Sequence, residues 1–157
     1  MVGSVSTLST LDRTVRLLAD ATYQDPQHDI EPLPRLDGLD GETELDWRLV
    51  MALFKAIVPM KFSATSDIRE IGYFLVDYGL RHPQESVRVP IREGQALIRA
   101  QLGEPELMAY IDPSVEKECV FWTSIWLLRD LGLPRNDLVG MLGEVAKVVT
   151  ELHRDDE

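Results

Sequence analysis

Three histidines, one cysteine and 27 acidic side chains are the groups in this 157-residue chain that could do chemistry. His28, His82 and His153 are far apart in sequence. His28 and His82 stand near prolines and His153 near the end of the chain, so each reads as a surface histidine. Neither HExxH nor the paired ExxH of di-iron bundles occurs. Asp25 and His28 form a DxxH, and Asp37, Asp40 and Glu42 cluster around Gly38 and Gly41. A calcium loop needs acids at alternating positions and a glycine at the sixth, and this spacing fails that test. There is no glycine-rich phosphate loop of either common spacing. No metal and no cofactor is expected.

A nucleophilic cysteine needs a basic neighbour or a helix start to lower its pKa. Cys119 has Lys117 close by, but Glu116 and Glu118 oppose it, and Val120 and Phe121 follow. Cys119 therefore reads as a small buried hydrophobe. A single cysteine forms no intramolecular disulfide, which suits a reducing cytosol. Glu116, Glu118 and Asp46 could supply paired carboxylates, yet they sit on helix faces that read as solvated. The residues carry no enzyme signature and no catalytic residue is assigned.

Charge narrows the partners. Against 27 acids stand 16 basic residues, 12 Arg and 4 Lys, for a net charge of −11. That sign opposes non-specific binding to phosphate backbones and to anionic lipid. A Lys-poor, Asp-rich chain fits a salt-rich cytoplasm, where charge keeps proteins soluble, and equally a GC-rich genome. The first residues, MVGSVSTLSTLDRT, hold no basic segment followed by an apolar block. The apolar stretches Leu49–Phe62 and Cys119–Leu128 are interrupted or too short for the ~20 residues that cross a bilayer. A cytoplasmic chain off the membrane is the expectation.

The elements that must position these groups are read from periodicity. Leu8, Leu11, Val15, Leu18 and Thr22 predict an amphipathic helix over 9–23, with Ser9 as N-cap. Residues 24–43 hold three prolines and two glycines and read as a long loop. Ile30, Leu33, Leu36 and Leu39 recur there every third residue, which puts them on one face of an extended chain and predicts that the loop packs along the domain. Residues 44–60 are apolar on nearly every face past Arg48, so a buried central helix is expected, ended or kinked at Pro59. Asp67 with Glu70 starts a helix over 67–79 whose inner face is Ile68, Ile71, Leu75 and Tyr78, and Gly79 stops it. Residues 86–91 are the only strand-like piece, and Pro90 limits it to an edge or an extended linker. A short helix over 92–102 ends at Gly103. Asp112-Pro113 opens a helix that runs to the Gly132-Leu133-Pro134 stop. The last helix spans 135–153, with Leu138, Met141, Val145, Val148 and Leu152 inward and Leu142 and Val149 widening the stripe. The sum is an all-α, single-domain bundle of about six helices over 1–157, with helices 45–58 and 114–131 innermost.

Two features remain. Residues 127–145, helix, Gly132, Leu133 and second helix, resemble the helix-turn-helix of DNA-binding regulators. The resemblance implies DNA contacts from Arg129, Arg135 and Asn136, with support from Arg88, Arg92 and Arg99. Leu128 departs from the pattern, occupying a position usually held by a small residue, and Asp137 and Glu144 bring the wrong charge. The second feature is apolar surplus: Trp122 and Trp126, one turn apart, and the C-terminal stripe exceed what one hairpin covers. This points to a partner interface made of Trp122, Trp126, Met141, Val145, Val148 and Leu152. The expectation is thus a non-enzymatic protein–protein interaction module, regulatory, adaptor or assembly factor, pairing with a protein partner or with itself as a homodimer. A DNA-binding regulator, and a small-molecule site inside the bundle, are the alternatives.

Overall fold

The computed structural model describes residues 2–23 and 45–152, with side chains from residue 10 onward. The regular structure among them is all helical: α1 (Val2–Tyr23), α2 (Trp47–Lys61), α3 (Ile68–Arg81), α4 (Pro83–Ser86), α5 (Ile91–Ala100), a 3-10 segment (Pro105–Tyr110), α6 (Pro113–Leu131) and α7 (Arg135–Leu152). No strand occurs among the described residues. The loop read over 24–43, with its DxxH and acidic cluster, lies outside them, as does His153. Helix α1 begins at Val2 rather than at residue 9, so Ser9 lies within the helix and not at its N-cap position. Contacts group the chain into two compact units, one drawn from Met1–Leu53 and Leu131–Glu157, the other Phe54–Asp130.

In the first unit α1 packs against α7. Leu18, Ala19 and Ala21 are buried on α1, and Leu138, Leu142, Ala146 and Val149 on α7. The Tyr23 hydroxyl donates to the Leu133 carbonyl, and Arg135 pairs with Asp20 while its guanidinium lies 5.7 Å from the Tyr23 ring centroid. The buried Thr14 hydroxyl donates to the Thr10 carbonyl and accepts from the Asp46 backbone N–H at 2.9 Å. Asp46 in turn accepts from the Arg48 N–H at 3.1 Å, occupying one of the free donors at the start of α2.

Phe54–Asp130 forms the second unit. Its centre is α6, buried at every position from Cys119 to Leu128. The helix is capped as the sequence predicts: the Asp112 carboxylate accepts from the Ser114 backbone and side chain, and these bonds hold it below the usual carboxylate pKa. Gly132, at φ +65°, ends α6 in the left-handed conformation that costs glycine least. Asp67 caps α3 by accepting from the Arg69 N–H at 2.9 Å. An aromatic chain runs through the unit: Phe62 meets Phe74 edge-on at 5.6 Å, Phe74 meets Tyr78 at 5.0 Å, and Tyr78 stacks on Trp126 at 5.9 Å.

Four readings are corrected here. First, α2 is not buried all round, since Lys55, Ala56, Pro59 and Met60 are exposed. Pro59 does not stop it either, because the residue whose carbonyl loses its donor, Lys55, lies on the exposed side, and α2 continues to Lys61. Second, α3 runs through Gly79 to Arg81. A Cβ at Gly79 would lie 3.3 Å from Ser86 and 3.9 Å from Trp126, so the glycine serves close approach rather than termination. Third, Ile68 is 46% exposed and is not part of the inner face of α3, which is Ile71, Phe74, Leu75 and Tyr78. Fourth, 86–91 holds no strand. Val87 is 78% exposed and Val89 3%, opposite environments for two positions that would share a strand face.

The four-residue α4 has too little hydrogen bonding to be stable alone. Glu85 anchors it. Its carboxylate is 1% exposed and takes the Trp126 indole N–H at 2.7 Å and two N–H groups of Arg129 at 2.8 and 3.0 Å. Every oxygen of this buried charge is therefore satisfied by a charge-assisted fork and an indole donor. Replacing Glu85→Ala takes the carboxylate away from the buried Arg129 guanidinium and the Trp126 indole N–H. The expected loss is about 3–5 kcal/mol, read from the urea midpoint, and Glu85→Leu with Arg129→Met is expected to restore much of it.

Candidate functional site

Helix α7 presents two apolar lines, and the structure separates them. Leu138, Leu142, Ala146 and Val149 are the core line. Met141 and Val145 lie half-buried beside it, while Val148 is 52% and Leu152 67% exposed. The inward stripe expected from the sequence is therefore turned by about one position. Met141, Val145, Val148 and Leu152 form a second, outward seam at spacings of four, three and four residues.

The two tryptophans are buried. Trp122 is 0% and Trp126 1% exposed. Trp126 is fixed by Glu85 and Tyr78. Trp122 meets Phe121 edge-on at 5.1 Å, and its indole N–H has no hydrogen-bond partner among the described residues. Their size drew attention to them, but size is also what makes them worth burying.

The turn from α6 to α7 exists as read, but its basic groups are committed. Arg129 is held in the fork on Glu85 with its side chain 10% exposed, and Arg135 is paired with Asp20. Asn136 is exposed. Of the supporting arginines, Arg88 pairs with Glu118 at 3.3 Å and Arg99 with Glu104 at 2.8 Å. A guanidinium already neutralised by a carboxylate has little to offer a phosphate.

The groups weighed for catalysis are likewise placed in structural roles. Glu118 pairs with Arg88, and Asp46 caps α2 and pairs with Arg48 at 3.2 Å. His82 ends α3 with its ring stacked 6.0 Å from Tyr78. Among the described residues no three His, Cys, Asp or Glu side chains gather as a metal site needs, and no helix is long and apolar enough to cross a membrane.

Two cavities flank α3, and the sequence singled out neither. One, of about 380 Å³, is apolar and lined by Leu75, Val76, Leu80, Val89, Ile91 and Trp126 among others. The other, of about 510 Å³, is lined by Lys61, Phe62, Glu70, Tyr73, Phe74, Asp77, Tyr78 and Asp130. In the second, Lys61 Nζ lies 2.9 Å from Asp130 and 5.7 Å from the Phe74 ring centroid. The Arg81 guanidinium lies 4.3 Å from the Tyr78 ring centroid and pairs with Asp77. The Tyr78 hydroxyl is pushed above its ordinary pKa, chiefly by burial and then by the Asp130 charge, so the phenol is neutral at pH 7. These residues come from three separate stretches of chain, which is why periodicity does not reveal them.

Comparison of the chain with protein-family models, with curated proteins and with solved structures finds no match.

Cys119 supplies a direct check on the core. Its thiol is 0% exposed, and burial pushes its pKa up to about 12; the Thr123 hydroxyl pulls it down and Glu93 adds to the rise. The thiolate is the reactive form, so the folded chain keeps Cys119 protonated at neutral pH. A chromogenic disulfide reagent at pH 8 is expected to leave Cys119 unmodified in buffer and to titrate one thiol per chain in denaturant.

Proposed function

We propose that this chain is a non-enzymatic helical interaction module that pairs with a second copy of itself, in the reducing cytoplasm, through the outer seam of α7. The observation that carries the reading is that seam: Met141, Val145, Val148 and Leu152, with Val148 and Leu152 more than half exposed. Two features support a second copy as the occupant. The seam lies on a helix whose opposite line is packed in the core, so the fold sets the direction in which the apolar surface faces. Its four-three-four spacing is unchanged on reversal. An antiparallel two-fold centred between Val145 and Val148 therefore sets Val145 opposite Val148 and Met141 opposite Leu152 of the second copy, as an isologous contact requires.

About two heptads are too short for an independent coiled coil, so the fold that carries α7 has to hold the helix in place for pairing. The seam also explains the apolar surplus without the tryptophans. Glu144 with Lys147, on the same helix, is an exposed pair that keeps the surroundings polar, as the rim of an interface is.

Sedimentation equilibrium of the full chain is the test. The wild type is expected at twice its 17.8 kDa chain mass. Val145→Glu with Val148→Glu is expected to run at the chain mass with unchanged far-ultraviolet circular dichroism. Because Val145 is half-buried, Val148→Glu with Leu152→Glu repeats the test at exposed positions only. A wild type that sediments as a monomer, or exposed-seam variants that remain dimeric, overturns the proposal.

A further inference from the structure

The larger cavity beside α3 has a composition suited to one kind of ligand. Four aromatic side chains, Phe62, Tyr73, Phe74 and Tyr78, and three carboxylates, Glu70, Asp77 and Asp130, line it, against the single cation Lys61. Aromatic faces carry negative partial charge and attract cations, and a carboxylate beside the ring adds a counter-ion.

Around this cavity the chain already uses this chemistry on itself twice. Lys61 is shared between Asp130 and the Phe62 and Phe74 rings, at 6.0 and 5.7 Å from their centroids. Arg81 is shared between Asp77 and the Tyr78 ring. Each is a carboxylate, a ring and a cation. The third carboxylate, Glu70, has a ring one turn away, Tyr73, which is 71% exposed, but no ion pair among the described residues. Among the described residues the set that Glu70 and Tyr73 begin lacks its cation.

We propose that this cavity binds the basic side chain of a partner polypeptide, an arginine foremost, with its guanidinium against Tyr73 and Phe74 and its charge on Glu70. A guanidinium fits better than an ammonium because it is planar, weakly hydrated and able to stack on a ring while forking onto a carboxylate. A polypeptide fits better than a free small molecule because the cavity is open to solvent, whereas small-ligand sites enclose most of their ligand. The net charge of −11 draws basic chains toward the molecule and raises their rate of encounter. The site uses no residue of α7, so it stands whether or not the chain pairs with itself.

The test is a titration of the isotope-labelled full chain, followed by amide chemical shifts, with the blocked tripeptide acetyl-Gly-Arg-Gly-amide. The same tripeptide with citrulline, which keeps the shape and loses the charge, and spermine, a free polyamine, are the comparison ligands. Arginine peptide is expected to shift residues 61–62, 70–78 and 130, and citrulline peptide to bind about ten-fold more weakly, as loss of a charge-assisted contact implies. Glu70→Gln is expected to weaken the arginine peptide to a similar degree, while Glu106→Gln, an exposed acid outside the cavity, leaves it unchanged. Both are surface substitutions that the fold tolerates.

Shifts spread over the whole acidic surface, equal effects of the two substitutions, or citrulline binding as well as arginine would each overturn the site. Spermine binding at these residues while the arginine peptide does not would overturn the polypeptide source.

Discussion

The Phe54–Asp130 unit depends on one buried charge. Glu85 sits on a helix of four residues that local hydrogen bonding cannot sustain. Its carboxylate is held by the Arg129 fork and the Trp126 indole, both on α6. Trp126 also carries the stack with Tyr78, and Tyr78 continues through Phe74 to Phe62. One ion pair thus fixes α4 on α6 and orients the ring against which α3 lies. A buried pair of this kind is weak evidence of net stabilisation, since hydrophobic replacements of equal shape often do as well. What it supplies is directional: an apolar residue at 85 could slide along α6, whereas a bidentate fork has one geometry. The two cavities beside α3 inherit that geometry, because Trp126 lines one and Tyr78 the other.

The same residues explain which parts of the fold were legible in the sequence. Signals confined to a few neighbours were readable: Asp67 and Asp112 cap their helices and Gly132 ends α6, since each acts on backbone groups within a turn. The all-helical class followed from 3.6-residue periodicity. Gly79 misled because glycine has two uses in a helix, and only the neighbouring Ser86 and Trp126 decide for close approach. The stretch 86–91 misled because alternation of Val87 and Val89 with polar residues is also what a short helix and turn produce. Arg129 looked available because the sequence cannot pair it with Glu85, 44 positions away.

Helix α7 makes the limit of periodicity concrete. Its sequence carries two interleaved apolar lines, 138/142/149 and 141/145/148/152, each at helical spacing. Both satisfy the same pattern, so a sequence reading merges them into one wide stripe. Packing against α1 buries the first and leaves the far end of the second in solvent. The candidate interface was half legible for this reason: the seam was in the sequence, but its separation from the core line was not, and the tryptophans joined to it belong elsewhere. The cavity beside α3 was not legible at all, since Lys61, Glu70 and Asp130 share no periodicity and meet only through the tertiary fold.

Charge unites these findings. A chain with 16 basic and 27 acidic residues could still present a basic face if its arginines clustered on one side. Here the arginines at 16, 48, 81, 88, 99, 129 and 135 are each matched to a carboxylate of the chain itself. Pairing removes equal numbers of both signs, so the surplus left to act outward is acidic. A polyphosphate would then meet these arginines already matched and a surplus of acids, and association would oppose the net field instead of following it. A cationic partner meets the reverse: an attractive field at distance and, at Glu70, a carboxylate with an exposed aromatic ring one turn away. Specificity at such a site does not come from the charge alone, since any acid on the surface has that. It comes from the ring, which distinguishes a weakly hydrated planar cation from a strongly hydrated one.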